Sequence, residues 1–479
     1  MVKFLCWSGH RTIWAALYTN LWYWLPSPDQ FQGRYLSTGG GGFAITSGEI
    51  DLSSGLVFGA ASGTTDGGFG GWDAMLTDVV LPANGTIDWD ILINFGYRSI
   101  HEMTVIGQAF TKSFYNSSSL YSYYQACSEG GREGWSQIQR YTSLYAISFG
   151  TQFDGAAIGA PAFRMPFQQV IHLFSAVVET TNNYAPCPCE LEEIRNDTIT
   201  ACDGLDGRVD GVVGRTDLCR LQYNASSSVG SSYSCATARG FPAANGTVTP
   251  QAAQIAEEIY AGLFDSEGRQ AYISFQPAAS FSDAAPSYNA TTNEYYASAS
   301  VQWVNYFLNN VASTALSLGN ITYNTLRDWM YQGMQQYRDT VLTTWPDLTD
   351  FSNAGGKVIH FHGESDSSIP PASYAALQEF YRLFLIPGAD HCAPSSTQPN
   401  GPFPQNVLES VINWVELGII PEQLNATVLA GTTTDLNQTV CSFPLRPYWS
   451  DISTMECVFD QASYDTWVPD LNSFPMPVY

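Results

Sequence analysis

Charged side chains are scarce in this 479-residue chain: Asp, Glu, Lys and Arg make up only 13% of it, about half the share of an average globular protein. Basic residues are the scarcer sign, 19 against 44 acidic, for a net charge of −25 and a pI near 4.3. Such a surface repels phosphate backbones and anionic lipid, which excludes nucleic-acid binding and electrostatic membrane docking. Long apolar runs are also missing. The best stretch, Thr12 to Pro28, contains Thr19, Asn20 and two prolines, short of the roughly 18 clean apolar residues a spanning helix needs. The start, Met1 and Lys3 with a brief apolar patch broken at Ser8-Gly9-His10-Arg11, is too short for a secretory signal. Internal repeats, heptads and low-complexity tracts are absent.

What is present is apolar and uncharged-polar: 45% hydrophobic and 14% aromatic residues, ample for a core and for two or three domains, or one large domain with an insertion. Asn-X-Ser/Thr sequons stand at Asn84, Asn116, Asn196, Asn224, Asn245, Asn289, Asn320, Asn425 and Asn437. With ten cysteines, an even number, they point to an oxidising, extracellular setting and a secreted glycoprotein. Residues 1–18 then read as an atypical, truncated or misassigned N-terminus.

Apolar strands alternate with helical spacing. Leu21 to Pro26, Ser122 to Ala126, Ala156 to Ile158, Lys357 to His362 and Phe384 to Ile386 read as strands. Gly96 to Phe114 and Arg132 to Leu144 read as helices. The pattern predicts an α/β sheet. From Pro166 to Phe351 the texture turns rich in Ser, Ala, Asn, Tyr and Thr, with five of the nine sequons. This predicts an inserted lid domain over 166–351, carried by a catalytic domain of 19–165 and 352–479.

Ala126-Cys127-Ser128-Glu129-Gly130-Gly131 lies between a predicted strand and a predicted helix. It has the form of the nucleophile elbow G-x-S-x-G, with Ala126 at the first glycine position. Such a turn exposes the Ser128 hydroxyl and aims the Glu129 amide at a developing oxyanion. By itself the segment also reads as a glycine-rich loop with a passenger serine. In the elbow fold an acid and then a base follow in sequence. Of the six histidines, His10 falls in the doubtful start, His101 and His172 come too early, and His360 and His362 share one side of a strand. His391, in a loop after a strand, remains. Asp366, 25 residues before it, is the preferred acid over Glu364 and Asp390, because Asp390 adjoins the histidine and more easily points away.

These residues resemble the tannase and feruloyl esterase family of α/β-hydrolases, from about Leu21 to Cys457. The marks are the Gly39–Phe43 run, Gly96-Tyr97-Arg98-Ser99-Ile100-His101, Cys127-Ser128-Glu129-Gly130-Gly131-Arg132, Phe153-Asp154-Gly155, Gly159-Ala160-Pro161, His362-Gly363 with Asp366, and His391-Cys392. The resemblance implies an α/β-hydrolase fold with a large inserted lid, Ser128 as nucleophile, Asp366 as orienter and His391 as base. One oxyanion donor would be the Glu129 amide and the other an amide around Gly40 or Gly41. The departures are Ala126 for glycine, Glu129 for the commoner threonine, which adds an acidic group beside the pocket, and a missing N-terminal portion. A Cys127–Cys392 disulfide is expected with it: each cysteine adjoins a catalytic residue, so hydrogen-bonded Ser128 and His391 would bring the pair within bridging range. Cys202 with Cys219, and Cys441 with Cys457, are the other expected disulfide residues, while Cys6, Cys187, Cys189 and Cys235 stay unassigned.

Asp203-Gly204-Leu205-Asp206-Gly207-Arg208-Val209-Asp210-Gly211-Val212 sets three carboxylates among glycines. Read alone, it is equally a solvated acidic turn or a winding loop able to surround Ca²⁺ with oxygens. The resemblance implies a structural calcium held by the side chains of Asp203, Asp206 and Asp210 and the backbone oxygens of Arg208 and Val212. The function implied is a secreted serine carboxylesterase acting on feruloyl- or galloyl-type esters of plant cell walls or polyphenols. The alternatives are a terephthalate monoester-type hydrolase and, in another class, a calcium-dependent extracellular binding module that has lost catalysis.

Overall fold

The computed structural model describes residues 2–6, 19–141, 152–237, 243–289, 291–345, 347–371, 379–451 and 453–474. Eight strands form the main sheet: β1 (Val2–Cys6), β2 (Thr19–Trp24), β3 (Arg34–Thr38), β4 (Ala60–Thr65), β5 (Tyr121–Cys127), β6 (Gly155–Gly159), β7 (Lys357–Gly363) and β8 (Tyr381–Ile386). Their order is β1-β2-β4-β3-β5-β6-β7-β8. β2 pairs antiparallel with β1 and β4, and every other pairing is parallel.

Parallel strands buried on both faces read as continuous apolar runs, and β6, Gly-Ala-Ala-Ile-Gly, is buried at every position. Adjacent residues serve opposite faces. Tyr35, Tyr124, Ile158 and Val358 enter one hydrophobic cluster, while Leu36, Tyr123, Ala157 and Ile359 enter another. Around the sheet run α1 (Glu49–Val57), α2 (Ser99–Tyr115) and α3 (Glu129–Arg140).

Between β6 and β7 lies a long insertion with α4 (Met165–Ile171), α5 (Pro188–Cys202), α6 (Pro250–Ala261) and α7 (Tyr323–Tyr337). None of its described strands joins the main sheet. Thr249 and Thr322 start α6 and α7 by accepting hydrogen bonds from the amides three residues on, which satisfies donors that a helix start leaves unpaired. The insertion enters and leaves side by side: the Thr343 amide donates to the Phe163 carbonyl at 2.9 Å. Its Val170, Phe174, Ile255, Trp303 and Met330 belong to the same cluster as Tyr35 and Ile158. The insertion and the sheet thus share one core. After β8, α8 (Val407–Leu417) lays Leu408, Val411 and Ile412 on the second face.

The expected elements are displaced in instructive ways. The strand expected to reach Pro26 stops at Trp24, since proline has no amide for the ladder. The helix expected from Arg132 begins at Glu129 and ends at Arg140; Gly130 and Gly131 are poor helix formers but are required by close packing. Its expected last residues, 142–144, lie outside the described part. At the N-terminus, residues 2–6 form a strand on the sheet edge, while 7–18 lie outside the described residues.

Among the described residues four disulfides join Cys127–Cys392, Cys189–Cys235, Cys202–Cys219 and Cys441–Cys457, and Cys187 is a free thiol. A buried ionic network ties three parts of the chain. Arg446 donates to Glu364 at 2.5 Å and to Asp217 at 3.3 Å, and Arg215 reaches Asp217 at 3.0 Å. Thr216 also donates to Glu364 and Ser463 to Asp217. Removing one partner from such a cluster leaves uncompensated buried charge. Arg446→Met should therefore cost about 3–5 kcal/mol, read as a lowered unfolding midpoint in denaturant; an unchanged midpoint would refute the role.

Candidate active site

Ser128 is the single residue between the end of β5 and the start of α3, with φ 65° and ψ −128°. A left-handed backbone costs an L-residue roughly 1–2 kcal/mol. Hydrogen bonds offset that cost: the Ser128 amide donates to Gly159 at 3.0 Å, and its carbonyl accepts from Arg132 at 3.1 Å and Ala162 at 3.2 Å. The turn leaves no room behind it. A Cβ on Gly130 would lie 2.6 Å from the Gly40 oxygen and 2.7 Å from the Ala126 methyl. Ala126 is accommodated because its neighbour across the turn is glycine.

His391 Nε2 lies 2.8 Å from Ser128 Oγ, and His391 Nδ1 lies 2.8 Å from Asp366 Oδ2. Asp366 is fully buried at the end of β7. Its Oδ1 accepts the amides of Ser368 at 2.7 Å and Ile369 at 2.8 Å. Its Oδ2 is also 3.1 Å from His362 Nε2. Burial alone would raise the Asp366 pKa, but hydrogen bonds from His362 and His391 outweigh it and hold the carboxyl well below the usual range. For His391, burial pulls downward, yet its bond to Asp366 and the charges of Asp366 and Asp390 raise it above the ordinary imidazole value. The rival carboxylates face elsewhere: Glu364 is held by Arg446 and Thr216, and Asp390 accepts the His391 backbone amide at 2.8 Å. Cys127 and Cys392 are bonded with their Cα atoms 6.1 Å apart.

Two cavities meet at Ser128. One of about 320 Å³ lies against the insertion, walled by Glu129, Met165, Gln168, His172, Asp283 and Ser300. The other, about 390 Å³, is bounded by Gly40, Gly41, Ser47, Asp51, Cys127 and His391.

Residues 16–464 match the family described as "Tannase and feruloyl esterase". The chain belongs to that family. It is thereby a carboxylic ester hydrolase. Among its relatives, a tannase of Aspergillus oryzae is 44% identical across 95% of this chain and 85% of its own length. The solved tannin acyl hydrolase of Aspergillus niger superposes with a TM-score of 0.91 at 49% identity, covering 96% of this chain and 87% of that one. Feruloyl esterase B of Aspergillus oryzae gives a TM-score of 0.71 at 25% identity, covering 92% and 87%.

Within this family member, the oxyanion donors expected at Gly40 and Gly41 need correction. The Gly40 amide donates to Glu133 at 3.0 Å, and the Gly41 amide to Ala44 at 3.1 Å, closing a tight turn. Both are consumed by the loop's own structure. The amides of Gly42 and Phe43, at the tip of that turn, have no acceptor among the described residues, and both residues line the first cavity. The Glu129 amide, at the first position of α3, is likewise without an acceptor among them. The Glu129 side chain is no free acid beside the pocket. It is 2% exposed and accepts from Arg132 at 2.5 Å, while Arg132 also donates to the Gly96 and Phe95 carbonyls. Burial raises the pKa of both Glu129 and the neighbouring Glu133, so one cation serves two reluctant carboxyls beneath the elbow.

Two histidines passed over in the sequence stand near the site. His362 shares Asp366 with His391; its place four residues before the acid was the available signal. His172, set aside by chain order, lines the first cavity with Asp283, 111 positions away in sequence, so no local pattern could pair them.

The acidic loop is bound to the same region. Asp203 accepts the amides of Asp210, Gly211 and Val212, Asp206 accepts the Arg208 amide, and Arg208 Nε lies 3.0 Å from Asp210. Burial and then the charges of Asp210 and Asp203 push the Asp206 pKa up to about 7. The three carboxylates are the hard-oxygen type of ligand that calcium takes, but among the described residues no three acidic, His or Cys side chains converge on one point. Gln398 accepts the Val213 amide and donates to Ser365, next to Asp366.

Because Gly130 is wedged against the Gly40 carbonyl, Gly130→Ala should displace the glycine loop and lower kcat by at least tenfold while the protein stays folded. Ester hydrolysis with circular dichroism checks this; full activity would show that the packing is dispensable.

Proposed function

We propose that the protein hydrolyses galloyl- or feruloyl-type esters by a serine mechanism through an acyl-enzyme. The observation carrying this is the continuous chain Ser128 Oγ, His391 and Asp366, with both links at 2.8 Å. Ser128 attacks the ester carbonyl while His391 Nε2 takes its proton. The oxyanion that forms faces the Glu129 amide and the turn at Gly42 and Phe43, donors fixed before reaction. His391 returns the proton to the departing alcohol, then activates water to release the acid. Asp366, with both oxygens saturated by donors, keeps the imidazole in the tautomer that presents Nε2 to the serine. The greater identity to tannases than to feruloyl esterase B favours the galloyl class.

Export and glycosylation are part of the same reading. All nine sequon asparagines are exposed, no described helix is long and apolar enough to cross a membrane, and four disulfides suit an oxidising compartment. Calcium at Asp203, Asp206 and Asp210, with the Arg208 and Val212 carbonyls, is proposed as a structural ion, supported by the three carboxylates carried on one short loop that Asp203 folds by accepting the amides of Asp210, Gly211 and Val212.

A fluorophosphonate probe should label the protein at Ser128, and an unlabelled folded protein would sink the mechanism in favour of a binding module. Ser128→Ala, Asp366→Asn and His391→Ala should each lower kcat steeply, the first by on the order of 10⁴-fold or more, and combined losses should be far from additive. Substantial turnover by folded Ser128→Ala would overturn the assignment.

Chelation should lower the Tm more than it lowers low-temperature turnover. An ion present at 100 times its Kd contributes about 2.7 kcal/mol to the folded state. An unchanged Tm, with no calcium in elemental analysis, would remove the ion from the account.

A further inference from the structure

The two cavities at Ser128 are not equivalent, and the chemistry of the ester sorts them. In the step that breaks the C–O bond, the leaving oxygen must receive its proton from His391 Nε2, so the alcohol must lie on the side where His391 forms the wall. His391 borders the cavity of Gly40, Ser47 and Asp51 and not the one against the insertion. The acyl group, bonded to Ser128 Oγ with its oxygen toward the Glu129 amide, is then directed into the insertion-side cavity, where Glu129 is part of the wall.

That cavity carries an ordered polar chain. His172 Nδ1 donates to Asp283 Oδ2 at 2.6 Å, and His172 Nε2 accepts from Gln168 Nε2 at 2.8 Å. Gln169 donates to Gln168 Oε1 at 3.0 Å, and the Ser300 hydroxyl donates to Gln169 at 3.4 Å. His172 and Asp283 are largely enclosed, with side-chain exposures of 14% and 12%. Asp283 Oδ1 has no partner among the described residues. A wall of this kind is costly to cover with a plain hydrocarbon ring, because buried polar groups must find partners. A ring bearing several adjacent hydroxyls supplies them: phenolic O–H groups donate to a carboxylate as charge-assisted bonds, and their oxygens accept from glutamine amides. A methoxy group in the same place can accept but not donate, so it leaves the carboxylate unanswered.

We propose that the insertion-side cavity is the acyl pocket and that Asp283, positioned by His172, with Gln168 and Gln169, selects acyl groups whose rings carry vicinal phenolic hydroxyls. This rests on the serine ester-hydrolase reading and assigns its specificity to named residues. The alcohol is assigned to the cavity beside Ser47 and Asp51, where exposed Gly41 leaves room for a large polyol.

The test compares kcat/KM on methyl gallate and methyl benzoate for the parent protein, Asp283→Asn and Gln169→Leu. Losing a hydrogen bond to a charged group typically costs ten- to a hundredfold in a binding ratio. Asp283→Asn should thus lower the gallate-to-benzoate ratio at least tenfold, and Gln169→Leu should lower it by a few fold. Gln169→Leu, on a half-buried side chain, keeps the question open to measurement if Asp283→Asn fails to fold. The ratio should shift equally when the gallate is carried on glucose instead of methanol. An unchanged ratio, or equal losses on both acids as a merely structural role would give, overturns the proposal. So does a shift that follows the alcohol, which would reverse the two sides. Fluorophosphonate labelling separates the levels: a labelled protein with an unchanged ratio refutes the acyl-pocket assignment alone, whereas an unlabelled parent refutes the serine mechanism and this assignment with it.

Discussion

The site exists because two loops from distant strands are held together. β5 ends beside Ser128 and β8 leads to His391, three strands apart, roughly 14 Å at ordinary strand spacing. The ends of β6 and β7 lie between them. The bond between Cys127 and Cys392 closes that gap on the neighbours of Ser128 and His391, across 265 positions of sequence. By the chain-entropy account, a loop of that length removes on the order of 5 kcal/mol of freedom from the unfolded chain. Ser128 and Cys392 are both left-handed non-glycine residues, with φ of 65° and 57°. The strain of the elbow and of the base loop is therefore borne at the two ends of one covalent staple.

A chain with so few charges spends them inside. Arg132 holds Glu129 and two carbonyls beneath Ser128; Arg446 holds Glu364 and Asp217; two histidines hold Asp366. Each cluster joins segments that are remote in sequence, so each carboxylate stays close to a cation or donor. Glu364 and Asp366 both follow the end of β7 but belong to different clusters, one bonded to Arg446 and the other to His391. Their division of labour follows from partners, since two carboxyls two residues apart differ little in intrinsic chemistry.

The parallel sheet, the turn at Ser128 and the meeting of Ser128 with His391 were legible because each leaves a local signature: continuous apolar runs, small residues flanking a serine, a histidine in a loop after a strand. Asp366 was separable from Asp390 by the same reasoning, since a residue adjacent to the histidine binds its backbone and not its ring. The sequence misled where a glycine's role depended on distant packing. Gly40 and Gly41 looked like oxyanion donors, but their amides answer to Glu133 and Ala44, partners that only the folded loop supplies. Glu129 looked like an acid at the pocket because Arg132, three residues on, gives no hint of turning inward beneath the elbow. The His172–Asp283 pair joins two parts of the insertion that no periodicity connects.

The insertion has the look of a flap in sequence, yet its aromatic and aliphatic side chains lie in the cluster that also underlies the sheet, and its Thr216 is bonded to Glu364, just past β7, and its Asp217 to Arg446 and Ser463 of the C-terminal segment. A cover fastened in this way is braced against the sheet at its core and at its ionic contacts. Substrates must thread into a recess whose walls are already set, and a branched polyphenol far larger than 320 Å³ cannot be engulfed. Such a molecule would be trimmed from its periphery inward, one terminal acyl group at a time, with the body of the polymer left outside throughout.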